Sequence, residues 1–107
     1  MPDRPIVVLV EWSAPEMTME QADDVAAKSK AVFDATPGLL DARFFGDFET
    51  GTHCFLLTWK DREAMERYMA SQAMHAVRGS AAPFVAGKPT RRIFVEYGDG
   101  SPAGGDG

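Results

Sequence analysis

The chain has 107 residues, enough for one domain with a modest core and too few for two. Its hydrophobic share of 45% and charged share of 25% are those of an ordinary globular protein, and its formal net charge of −5 argues against a general nucleic-acid binder, which needs a basic face. The single cysteine, Cys54, leaves no intrachain disulfide, and it sits in an apolar run where a small core residue is the commoner reading.

The N-terminal segment "MPDRPIVVLVEW" lacks the layout of a signal peptide, and no stretch approaches the roughly 20 apolar residues of a membrane span. These features lead to an expected cytoplasmic location.

"PIVVLVEW" (5–12) is a valine-rich apolar run and predicts a strand buried on both faces. Thr18 with Gln21 fits a capping box, so a helix should begin there. Ala22, Val25, Ala26, Ser29, Val32 and Phe33 form its stripe, and "TPG" (36–38) stops it. "LLDARFFGDF" (39–48) predicts a second strand, "ETG" a turn and "THCFLLTW" (52–59) a third strand. Asp61 should cap a second helix, "REAMERYMAS", continuing briefly through "QAMHAV". "RGSAAPFVAGKP" (78–89) has the composition of a loop, and "TRRIFVEY" (90–97) that of a fourth strand. The domain is placed at 1–98, with the Gly-rich 99–107 as a disordered tail.

The order strand, helix, strand, strand, helix, strand is the α+β, ferredoxin-like βαββαβ pattern: a four-stranded antiparallel sheet with helices on one face. The other face should then alternate with polar residues, yet "IVVLV" and "CFLL" are apolar on both sides. An apolar face of that size predicts a homodimer packed sheet against sheet, with a cavity trapped inside.

"TPGLLDARFF" and "GTHCFLLTWKDREAMERYMASQAM" together resemble the dimeric α/β-barrel superfamily, which includes the antibiotic-biosynthesis monooxygenases and related small monooxygenase-like proteins. The shared features are a Pro-Gly opening strand two, a tryptophan at the end of strand three and an acid-rich helix start. The resemblance spans roughly residues 5–97 and is specific for fold more than for chemistry. Trp59 matches the cavity tryptophan of the cofactor-free, quinone-forming relatives, and Arg78 falls near their cavity arginine. Phe55 and Met65 stand where those relatives use Asn and Tyr. Haem-degrading relatives need an axial His where this chain has Arg78, and His75 lies off that position, which disfavours haem degradation.

Strand parity puts His53, Phe55, Leu57 and Trp59 on one face of strand three, and the resemblance turns that face to the cavity. His53 would serve there as a base, or else sit in water at the hairpin end. Asp41 and Arg43, grouped with Leu39 and Phe45, should face the cavity or form an intersubunit ion pair. A one-residue slip of the hairpin would reverse which set joins Trp59. Tyr68 shares its helix with Met65, Met69 and Met74, a stripe that is core or an adaptable pocket wall. Trp12, Glu11, Arg91 and Arg92 lie at strand ends that could rim the cavity.

The catalytic candidates are His53, Trp59, Arg43 and Arg78. The substrate-contacting candidates are Phe45, Phe55, Leu57, Met65, Tyr68 and Asp41. No metal-ligand spacing or phosphate loop is readable, and neither cofactor nor metal, nucleic acid nor membrane is expected as a partner. The functional expectation is a cofactor-independent monooxygenase oxidising a small hydrophobic aromatic or polyketide-type substrate. The alternative is a non-oxidative isomerase, cyclase or ligand-binding barrel protein.

Overall fold

The computed structural model describes residues 4–98; the expected disordered tail at 99–107 lies outside the described residues. The element order is β1 (Ile6–Ser13), α1 (Met19–Asp34), β2 (Leu39–Asp47), β3 (Thr52–Trp59), α2 (Arg62–Met69), α3 (Gln72–Ala81) and β4 (Ala86–Val95). The strands form one antiparallel sheet in the order β2-β3-β1-β4, the ferredoxin-like topology expected from the sequence.

Local chemistry sets the boundaries. The Thr18 hydroxyl accepts from the Gln21 amide while the Gln21 side chain accepts from the Thr18 amide, closing the capping box of α1. Asp61 caps α2 by accepting from the Ala64 amide at 2.8 Å. In the β2–β3 hairpin, Asp47 accepts from the Glu49 and Thr50 amides, and these bonds hold its carboxyl below the usual carboxylate range. Gly51 closes the turn at φ 79, where an added Cβ would collide with Pro15.

Two stretches differ from the sequence expectation. The second helical segment is not one helix with a short extension. The Ser71 hydroxyl donates to the Tyr68 carbonyl at 2.7 Å and ends α2, and α3 then runs to Ala81, through Gly79 and residues expected to be loop. Strand β4 starts at Ala86, four residues before the expected Thr90, with Pro89 inside it. The sheet order explains this tolerance: β4 is an edge strand, where a missing N–H need not break a ladder.

The core lies between the sheet and the helices. Ile6, Val8 and Trp12 of β1 and His53, Phe55, Leu57 and Trp59 of β3 point into it, meeting Val25, Ser29 and Phe33 of α1, Ala64, Met65 and Tyr68 of α2, and Val77 and Ala81 of α3. The fully buried Ser29 hydroxyl lies 3.3 Å from that of Ser80, tying α1 to α3 where both helices present small residues. The face carrying Trp59 is therefore the helix-covered face. It is not turned into a cavity between two sheets, as strand parity combined with the resemblance had implied.

Candidate functional site

Between the helix-covered face and α2–α3 lies a cavity of about 690 Å³ that extends past the end of the helical layer to β4. Its floor is Val10 and Trp12 of β1 and Phe55 and Leu57 of β3. Its helical wall is Tyr68 and Met69 of α2 with Met74, Val77 and Arg78 of α3, and its outer wall is Val85, Thr90 and Arg91. The volume suits a ligand of two or three fused rings.

The aromatic wall is held by edge and tilted contacts. Trp12 meets Phe55 edge-on at 5.8 Å, and Phe55 meets Phe44 likewise at 5.0 Å. Tyr68 stacks at a tilt on Trp59, centroid to centroid 5.1 Å, and on Phe33 at 5.9 Å. Burial pushes the Tyr68 phenol up to about 12, with the nearby Arg78 charge pulling weakly the other way. Tyr68 is thus a protonated donor throughout the neutral range. Among the described residues the Arg78 guanidinium finds only the Met74 thioether, 4.0 Å away, as a hydrogen-bond acceptor.

The sequence-derived candidates divide sharply. Phe55, Leu57, Tyr68 and Arg78 are brought together in this cavity. Trp59 is not on its surface: it is completely buried beneath Tyr68 and buttresses that ring. Met65 is core at 3% exposure, turned into the layer between helix and sheet.

Asp41, Arg43 and Phe45 lie on the opposite face of the sheet. A bulge between Leu39 and Asp41 takes Leu40 out of the pairing, so Leu39 opposes Trp59 while Asp41, Arg43 and Phe45 oppose Thr58, Leu56 and Cys54. Asp41 and Arg43 pair with each other at 2.9 Å along one strand, both well exposed. That contact is within the chain, where an intersubunit pair had been one expectation.

His53 is neither in water nor in the main cavity. It is 3% exposed, sits between Trp12 (5.2 Å) and Phe48 (5.0 Å), and lines a second, smaller space of about 120 Å³ together with Phe44 and Phe55. Gly46 opposes it across the hairpin, and a Cβ there would stand 2.5 Å from its Nδ1. Burial lowers its pKa, opposed more weakly by the Ala14 carbonyl and the Asp47 carboxylate. Its Nε2 is buried with no hydrogen-bond partner among the described residues, as are Nε1 of Trp12 and of Trp59. Trp12 stands between His53 and the main cavity.

Val10, Val85 and Thr90 were not legible as site residues. Trp12 and Arg91 carried only their strand-end position as a signal, whereas Met69 and Met74 belonged to a stripe equally compatible with core. Among the described residues no cluster of three metal-ligating side chains occurs, and no helix is long and apolar enough to cross a membrane.

The chain shares its fold with antibiotic-biosynthesis-monooxygenase-like proteins of the ferredoxin-like type. Solved structures similar to it include SnoaB, a cofactor-independent oxygenase from Streptomyces nogalater (12% identity, TM-score 0.74, covering 92% of this chain and 99% of that one). A candidate antibiotic biosynthesis monooxygenase from Bordetella bronchiseptica is similar at 11% identity and TM-score 0.76, covering 88% of this chain and 98% of that one. A dimeric ferredoxin-like protein of unknown function from Thermobifida fusca matches at 15% identity and TM-score 0.71, covering 88% of this chain and 92% of that one. No protein-family model matches the sequence, and no curated protein does.

Proposed function

We propose that the protein is a cofactor-independent monooxygenase that oxidises a flat aromatic or polyketide-type molecule in the cavity between the sheet and α2–α3. The observation that carries this reading is the composition of that cavity: aromatic and thioether walls, one protonated phenol and guanidinium donors, with neither carboxylate nor histidine among its described lining residues.

Such a site is suited to a substrate that supplies its own electrons. An anthrone-type ring methylene, ionised to its enolate, transfers electrons to dioxygen. One oxygen atom then becomes the new carbonyl and the other leaves as water, so that CH₂ plus O₂ gives C=O plus H₂O. The protein's part is to bind the ring, to lower the pKa of the bound enol by stabilising its anion, and to exclude water. Arg78 supplies the cation and Tyr68 the hydrogen-bond donor for the developing oxyanion. With no base in the described lining, deprotonation falls to the substrate's own acidity, assisted by the positive field. His53, behind Trp12, has a packing role in this reading.

The active form is a homodimer. Val7, Leu9, Leu56 and Phe94 share the uncovered face, and Phe94, Phe45 and Leu40 are 46–60% exposed, a patch that favours a second copy over water. The dimeric Thermobifida fusca neighbour supports this assembly. The same cavity also suits a non-oxidative role in shaping a reactive polyketide, favoured by Phe55, an apolar side chain where the quinone-forming relatives carry Asn.

An oxygen electrode separates the two. With anthrone or a hydroxyanthrone the oxygenase consumes oxygen stoichiometrically with quinone formation, and Arg78→Gln and Tyr68→Phe slow it. Oxygen uptake no faster than in buffer, with ligand binding intact, selects the non-oxidative role.

A further inference from the structure

The cavity contains a second cation that oxyanion stabilisation does not use. Arg91 pairs across the sheet with Val10, so its side chain emerges on the same face as Val10 and lines the same cavity. Its neighbour Arg92 pairs with Leu9 and leaves on the uncovered face. The Arg91 Nη1 donates to the Met69 thioether at 3.3 Å. A thioether is a weak acceptor and carries no charge to balance the guanidinium.

The ion pairs among the described residues engage Lys28, Lys30, Arg43 and Arg67, and neither Arg78 nor Arg91 takes part in one. The chain has 16 acidic residues and a net charge of −5, yet none of its acids lines this cavity among the described residues. Two exposed guanidinium-bearing side chains therefore reach one apolar cavity from different walls, α3 and β4, and among the described residues no acid forms an ion pair with either.

A single reacting oxyanion accounts for one guanidinium. We propose that the ligand of this cavity is an aromatic carboxylic acid whose carboxylate is held by Arg91 at the β4 wall while its ring body lies against Trp12 and Phe55. This rests on the reading that the cavity takes a flat aromatic molecule, and it adds the substituent that fixes which way round that molecule lies. The fork of an arginine matches a carboxylate through two parallel hydrogen bonds, which an amide or ester of the same shape cannot reproduce. The carboxylate bears no part in the redox step. It orients the ring so that the opposite edge faces Arg78 and Tyr68.

The test needs no turnover. Binding of anthracene-2-carboxylate and of anthracene-2-carboxamide is measured anaerobically by quenching of tryptophan fluorescence at low ionic strength. The expected result is that the wild type binds the carboxylate about tenfold or more tighter than the amide, the scale of one charge-assisted bidentate contact. Arg91→Gln should remove that preference while leaving the amide affinity unchanged, and Arg91→Lys should retain part of it. Arg62→Gln, an exposed charge on α2 outside the cavity, should leave the preference intact. Equal binding of the two probes by the wild type overturns the proposal, as does a preference that survives Arg91→Gln or falls equally in Arg62→Gln. The oxygenase reading fails separately, when a hydroxylated aromatic acid binds with this preference and no oxygen is consumed.

Discussion

The two spaces that flank Trp12 on the helix-covered side of the sheet share two residues and differ in their charged groups and size. Both are lined by Trp12 and Phe55. The larger adds two arginines and a phenol, with Met69 and Met74, around about 690 Å³; the smaller adds His53, Asp23 and ring edges, with Met17 and Met19, around about 120 Å³. A histidine is the side chain usually sought for acid–base chemistry, yet here it occupies the space too small for a fused-ring ligand. The room for a fused-ring ligand lies where the cations are. The comparison teaches that a titratable group marks a site only when there is volume beside it to hold a reacting atom.

The largest effect that can break this division is structural. Trp59 is completely buried beneath Tyr68, so Trp59→Ala should cost about 3–5 kcal/mol of stability, read from urea unfolding, because the ring is lost and the cavity it leaves cannot collapse fully. A small loss of stability accompanied by abolished ligand binding would instead put Trp59 at the ligand.

Next in size is the contrast between the cations and the histidine. With an anthrone substrate, Arg78→Gln should lower the oxygen-uptake rate by about 10²-fold, the usual scale for one lost oxyanion donor, whereas His53→Gln should leave it nearly unchanged. The opposite order would make His53 the base and the smaller space the active one.

A smaller effect distinguishes the two spaces by pH. The folded-state pKa of His53 is lowered, chiefly by burial, so its contribution to stability is present above its ordinary value of 6.5 and is lost as the pH falls through the folded value. Unfolding free energy should therefore decline on acidification from neutrality, and His53→Gln should flatten that slope. Tyr68 has the opposite sign. Its folded pKa is raised to about 12, so its contribution is complete below its ordinary 10 and declines between about 10 and 12. Tyr68→Phe should flatten the alkaline limb.

The smallest effect is at the surface. Removing the exposed Glu63–Arg67 pair by Glu63→Gln should change stability by less than about 0.5 kcal/mol, since water and salt screen such helix pairs.

How much of this was legible can be traced residue by residue. Thr18, Gln21 and Asp61 announced helix starts because capping is a contact between residues three apart in sequence, and local spacing is enough to find it. The alternation of β3 correctly grouped His53, Phe55, Leu57 and Trp59. It did not say which side of the sheet the helices take, nor that Leu40 is dropped by a bulge so that Asp41 and Arg43 leave the face of Leu39 and Trp59. Phe55, Leu57, Tyr68 and Arg78 were found as cavity residues, whereas Trp59 and Met65 were found as neighbours of the cavity one layer too deep.

The sequence by itself determined the order of elements, the antiparallel hairpin and the ferredoxin-like class, because hydrophobic period, caps and turns are short-range properties of the chain. Only the tertiary structure decided that the larger cavity lies between sheet and helices, that His53 is walled off behind Trp12, and that Arg78 and Arg91, thirteen positions apart on a helix and an edge strand, reach one cavity. The physical reason is that volume and charge balance belong to no single segment. They arise when α3 and β4 close over the same patch of sheet, and no local pattern records that meeting.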